Sequence, residues 1–181
     1  MMFTPRVEGT VPVQSSAAQF VSAFRQRVVA GLLMGRPHPR SNYQIVDADA
    51  SMVHVRAANN WTAISVGLND LELRLRSGGS VHFRVEYWRW AAYAVGFSGL
   101  LGLMGLILLV TLDVRSYIAD HASARLPGLS IDQNLALAWA MVLFWGFMWP
   151  WLLIALYKRP LRRLVERLVR EVDIQPAGGR A

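Results

Sequence analysis

The chain has 181 residues, is 54% hydrophobic with a mean hydropathy of +0.28, carries a net charge of +7 and contains no cysteine. Disulfides, thiolate catalysis, iron–sulfur clusters and cysteine-ligated zinc are therefore excluded. The positive charge is concentrated in two places: residues 1–87 have nine arginines against six acids, and residues 158–181 have seven basic residues against three acids, whereas 113–134 has two arginines against three aspartates. Basic residues of this kind flank apolar segments and are not interleaved with stacking aromatics, so a nucleic-acid partner is not expected.

Residues 1–87 are read as one small cytoplasmic α+β domain. Arg6 to Val13 is a first strand, placed at an edge by Pro12. Ser16 and Gln19 fit a capping box, and Phe20, Phe24, Val28 and Leu32 then recur every four residues, which predicts an amphipathic helix stopped by Gly35 and Pro37. Beyond it the apolar period falls to two. Tyr43–Val46 and Met52–Ala57 flank a turn at 47–51, and Leu71, Leu73 and Leu75 then Val81, Phe83, Val85 and Tyr87 alternate with polar residues across the turn Ser77-Gly78-Gly79-Ser80. The fold class expected is an antiparallel sheet covered by one helix. On element order alone this domain resembles small lipid-binding folds of the START type; no motif carries the likeness, the segment is short for a complete domain of that type, and no family is assigned.

Two stretches without a charge follow, Trp90–Leu112 and Leu135–Tyr157, of 23 residues each. At about 1.5 Å per residue each is roughly 35 Å long, against a hydrocarbon core of about 30 Å. Residues 88–157 are therefore read as a transmembrane hairpin, with spans at about 90–112 and 135–157 and a loop at 113–134. Arginine and lysine near span ends mark the cytoplasmic side. Arg84 and Arg89 precede the first span and Lys158, Arg159, Arg162 and Arg163 follow the second, so both termini are expected in the cytoplasm and the loop outside. Trp88, Trp90, Tyr93 and Tyr157 lie where an aromatic belt anchors spans. Eighteen of the nineteen basic residues are arginine, which suggests a GC-rich bacterial genome and hence a bacterial inner membrane. No signal peptide is visible, and the sequence leaves open which of Met1 and Met2 starts the chain.

Span one carries Gly96, Gly99, Gly102 and Gly105, with Ser98 and Gly102 four apart, small residues that let helix backbones approach, either that of span two or a partner's. Trp145 and Trp149 lie one turn apart, and an indole N–H near mid-span needs an acceptor: a neighbouring helix, or a lipid, quinone or pigment held in a groove. Pro150 is expected to kink the second span and free the carbonyl near Gly146. Neither span contains an ionisable residue, which disfavours a proton or ion pathway, and no histidine lies in a span to hold haem. The segment 158–181 is read as an amphipathic helix beginning at Pro160, with Leu161, Leu164, Val165, Leu168 and Val172 in one stripe, either lying at an anionic lipid interface or packed against a partner or another copy, followed by a disordered tail, 175–181.

Candidate chemistry is sparse. His54 and His82 share the polar sheet face with Glu72, Arg74, Arg84 and Glu86, where an acid–base or metal site is one reading and cross-strand charge pairing the other. Arg36 and Arg40 bracket a proline-stiffened loop that serves either as a rigid connector or as a contact to lipid phosphates. With Arg89, Lys158, Arg159, Arg162 and Arg163 they are the candidate lipid-headgroup contacts; Ser98, Gly99, Gly102, Trp145 and Trp149 are the candidate helix-packing or partner contacts. No nucleotide loop, nucleophile elbow or metalloprotease motif is present. The expected function is therefore non-enzymatic, with no cofactor or metal: an accessory or assembly subunit of a larger membrane complex, docking on other membrane proteins through its spans and its cytoplasmic domain. The alternative is a membrane-anchored binder of a lipid, quinone or pigment.

Overall fold

A computed structural model describes residues 4–32 and 42–174. The chain divides into two compact units: Met1–Ala91 together with Leu156–Ala181, and Ala92–Ala155 between them. The first unit is thus interrupted by the second.

In the first unit, β1 (Arg6–Pro12), β2 (Tyr43–Ala48), β3 (Met52–Ala57), β4 (Asp70–Arg76) and β5 (Ser80–Glu86) form one antiparallel sheet in the order β1-β5-β4-β3-β2. β1 is an edge strand, which accommodates Pro12. The register sets two faces. Val53, Val55, Leu71, Leu73, Val81, Phe83 and Val85 are fully buried on one. The other carries a charge ladder: Arg56 pairs across to Asp70, Asp70 to Glu86 and Glu86 to Arg6, beside a row of His54, Glu72, Arg84 and Glu8. Helix α1 (Ala17–Ala30) has the expected capping box at Ser16 and Gln19 and buries Phe20, Phe24 and Val28. It ends at Gly31, earlier than the spacing predicts; Gly35 and Pro37 lie outside the described residues. A short α2 (Asn60–Val66), capped by the Asn59 side chain, has no counterpart in the sequence reading.

A further helix contributes buried residues to this unit. Helix α6 (Trp149–Ile174) runs unbroken from the second apolar stretch into the C-terminal segment, and Pro160 lies inside it instead of starting a new helix. Its stripe of Leu161, Val165, Leu168, Val169 and Val172 is buried within the first unit. The stripe expected to lie in lipid is therefore part of the first unit's buried core. Burial of Leu161 and Val165 directly after Pro160 offsets the backbone bond the proline cannot make. Polar contacts fix the helix in place. The Asp173 carboxylate accepts from the Gln14 N–H (3.0 Å), the Ser15 N–H (2.9 Å) and the Ser15 hydroxyl (2.6 Å). Arg27 on α1, almost fully buried, pairs with Glu171 at 3.3 Å. The Tyr157 hydroxyl donates to the Val66 carbonyl at 2.6 Å, and its ring stacks on Trp90 with centroids 4.4 Å apart. The 158–181 segment, expected as a separate element, thus belongs to the same unit as residues 1–91.

The second unit holds most of α3 (Trp88–Thr111), α4 (Val114–Asp120), α5 (Ile131–Leu143), a π-helical turn (Phe144–Met148) and the start of α6. Two helices are long and apolar enough to cross a membrane, Trp88–Thr111 and the continuous Ile131–Ile174. The connection between them is ordered: Ser130 and Gln133 form a capping box, and buried Asn134 accepts from the Leu126 N–H and donates to the Ser130 carbonyl, both at 2.9 Å.

Candidate functional site

The second unit is built around one close approach. A side-chain carbon placed on Gly102 of α3 would lie 2.7 Å from the Gly146 Cα, well inside van der Waals contact. Gly105, one turn on in α3, meets Val142 in the same way at 3.0 Å. Small residues permit this because neither backbone is held off by a Cβ, and close backbones gain dispersion contacts. The π-helical turn supplies Gly146. Pro150 has no N–H, so the preceding turn cannot close with ordinary i to i−4 bonds; it widens, and the Trp149 N–H reaches back to the Phe144 carbonyl. The expected disturbance at Pro150 is thus spread over Phe144–Met148.

Beside this contact an open, largely apolar groove of about 390 Å³ is lined by Phe97, Ser98, Gly102, Met141, Trp145 and Trp149, among others. Trp145 and Trp149 lie with ring centroids 4.6 Å apart, and Phe144 meets Trp145 edge-on at 5.4 Å. Among the described residues, the Ser98 hydroxyl and the two indole N–H groups have no hydrogen-bond partner. Four of the five expected packing residues therefore gather here. Gly99 does not: a Cβ there would meet nothing within 4 Å. Sequence reasoning passed over Gly146 as a contact; a lone glycine among the bulky residues of 143–149 is the signal that marks it.

The polar sheet face forms a smaller hollow of about 210 Å³ lined by His54, Arg56, Asp70, Glu72, Arg84 and Glu86. Its charges satisfy one another. Asp70 accepts from Arg56 at 2.7 Å and sits 3.3 Å from His54, Glu72 pairs with Arg74, and Arg84 pairs with Glu86 at 2.8 Å. His82 lies opposite Arg74 in the ladder. Among the described residues no group of three His, Asp or Glu side chains is placed to hold a metal. Ion pairs within and between strands thus engage Asp70, Glu72 and Glu86, and His54 lies beside Asp70.

The basic candidates are scattered. Arg36 and Arg40 lie outside the described residues. Arg89 sits 5.4 Å over the Trp88 ring. Lys158 is half-buried, Arg159, Arg162 and Arg163 are exposed on α6, and Arg162 is engaged by Glu166 at 2.8 Å. No family model, no curated protein and no solved structure matches this chain.

Proposed function

We propose that this is a two-span integral membrane protein of the bacterial inner membrane, and that it serves as a non-enzymatic accessory or assembly subunit of a larger complex. The observation that carries the membrane reading is exposure. Only 6% of the most apolar window of α3 and 17% of that in the second long helix are buried. A core helix of a water-soluble protein would hide these side chains; here Phe97, Leu100, Leu103, Ile107, Leu108, Met148 and Leu152 all stand open. Both ends of the hairpin return to one folded unit, which supports an even number of crossings with the two termini on the same side. Arg89 before the hairpin and Lys158, Arg159, Arg162 and Arg163 after it favour the cytoplasm for that side.

The subunit reading is supported by the groove. Its three polar groups lie along the spans, Trp145 near the middle, where water is absent and an unpaired donor is costly. A third transmembrane helix offering small side chains and a backbone or hydroxyl oxygen would fill the groove and satisfy them. The test is isolation of the tagged chain from its native membrane in mild detergent. Stoichiometric protein partners that are lost from the W145A/W149A variant are expected. A partner-free chain would overturn this reading. A partner-free chain carrying an enriched lipid or a chromophore lost in the same variant would instead favour a quinone-, pigment- or lipid-binding role for the groove.

A further inference from the structure

We infer that the outer edge of α6 is a binding surface for anionic phospholipid headgroups, formed by Arg159, Arg163 and Arg167. The three arginines recur every four residues, so they rise along one side of the helix, opposite the buried stripe of Leu161, Val165, Leu168 and Val172. They line, with Pro160 and Leu164, a shallow depression of about 430 Å³. All three are exposed, and among the described residues none has a counter-charge.

The helix's own acids explain why. Residues 158–174 contain three, and each is committed elsewhere: Glu166 to Arg162 at 2.8 Å, Glu171 to Arg27 at 3.3 Å, and Asp173 to Gln14 and Ser15. With these carboxylates engaged by other partners, the row of guanidinium groups is left complementary to phosphate, whose oxygens match the arginine fork in pairs. Position selects the source of the phosphate. Arg159 stands two residues past Tyr157, the last residue of the second apolar stretch, so Arg159 and Arg163 fall about 3 and 9 Å along the helix from it, at headgroup level. This rests on the membrane reading above. It differs from the interfacial helix expected from sequence: the apolar stripe is buried in the first unit, and the arginine edge is left for lipid.

The test uses the full-length chain in mild detergent, mixed with equal amounts of phosphatidylglycerol and phosphatidylcholine of identical acyl chains and analysed by native mass spectrometry. The wild type should retain phosphatidylglycerol preferentially, by about fivefold per engaged arginine at low salt. The R159Q/R163Q/R167Q variant should retain both lipids equally, and R163Q alone should lose about fivefold. Equal retention by the wild type, or an unchanged preference in the triple variant, overturns the inference. So does displacement of phosphatidylglycerol by inorganic phosphate, which would assign the row to a free anion, or nucleic acid that co-purifies with the wild type and not with the triple variant. An alkaline wash of the native membrane separates the two levels: a chain released without detergent contradicts the membrane reading itself, whereas a chain that stays in the pellet without lipid preference contradicts only the arginine surface.

Discussion

Gly102 and Gly146 face each other so closely that a Cβ on Gly102 would lie 2.7 Å from the Gly146 Cα. Neither backbone has room to retreat without opening the whole contact. G146L should therefore lower stability by about 1–3 kcal/mol, the usual cost of overpacking. G99L, at a position where a Cβ meets nothing, should leave it within about 0.5 kcal/mol of wild type. Thermal unfolding of the purified variants in one detergent compares them directly.

The interruption of the first unit by the second has a consequence for truncation. Residues 1–91 alone lack the buried α6 stripe that belongs to the same unit, and so lose part of its apolar core. That fragment should aggregate. Replacing residues 92–155 by a short Gly/Ser linker should instead give a folded, water-soluble domain, because Trp90 and Tyr157 at the two cut ends already stack at 4.4 Å. Size-exclusion chromatography and circular dichroism of the two proteins distinguish the outcomes.

The packing of α6 in this unit is acid-sensitive. Burial opposes ionisation of Asp173, but the hydrogen bonds from Ser15 and from the Gln14 and Ser15 N–H groups outweigh it, and its carboxyl lies below the usual aspartate value of 3.8. A carboxyl whose folded pKa is depressed stabilises the fold above its unfolded value and loses that contribution as pH falls through the folded one. Docking of α6 should be pH-independent near neutrality and weaken below about pH 4. In D173N this acid-side loss should be reduced and the stability at pH 7 lowered. Hydrogen exchange of 161–172 across pH 3–7 reads both effects.

Gly67 ends α2 at φ 71°, a left-handed conformation, and a Cβ there would lie 2.5 Å from the Tyr157 hydroxyl oxygen. That hydroxyl cannot move aside without leaving the Val66 carbonyl. G67A should cost about 2 kcal/mol or more through backbone strain and clash together. Y157F should cost about 0.5–1.5 kcal/mol through the lost hydrogen bond alone. Chemical denaturation of the linker-joined soluble domain measures both.

Local structure was legible wherever a period or a cap wrote it into the chain. The alternation of Val81, Phe83 and Val85, the Ser16–Gln19 box and the turn at Gly78 and Gly79 each identify an element by its own residues. What was not legible depends on partners far apart in sequence. The α6 stripe looks the same whether it faces lipid or a protein core, because Leu161, Val165 and Leu168 report only that one side is apolar. Asp173 is 158 residues from Ser15, and nothing near either residue announces the other. Pro160 reads as a helix start by propensity, and tertiary burial on both sides overrides it. At the groove, the spacing of Ser98 with Gly102 and of Trp145 with Trp149 gave the lining, whereas the approach of Gly146 depends on a π-helical turn that no simple period encodes.

The central claim is a hairpin that crosses the membrane twice and returns to the domain it left. The chain has no cysteine, so single cysteines report sidedness without background. S77C in the β4–β5 turn, S123C between the two long helices and R170C on α6 are all exposed positions. Labelling each variant with a membrane-impermeant maleimide in right-side-out and inverted vesicles decides the topology. The expected result is reaction of S77C and R170C only from the cytoplasmic side and of S123C only from the opposite side. Reaction of all three from one side, or of S77C and R170C from opposite sides, would contradict the account.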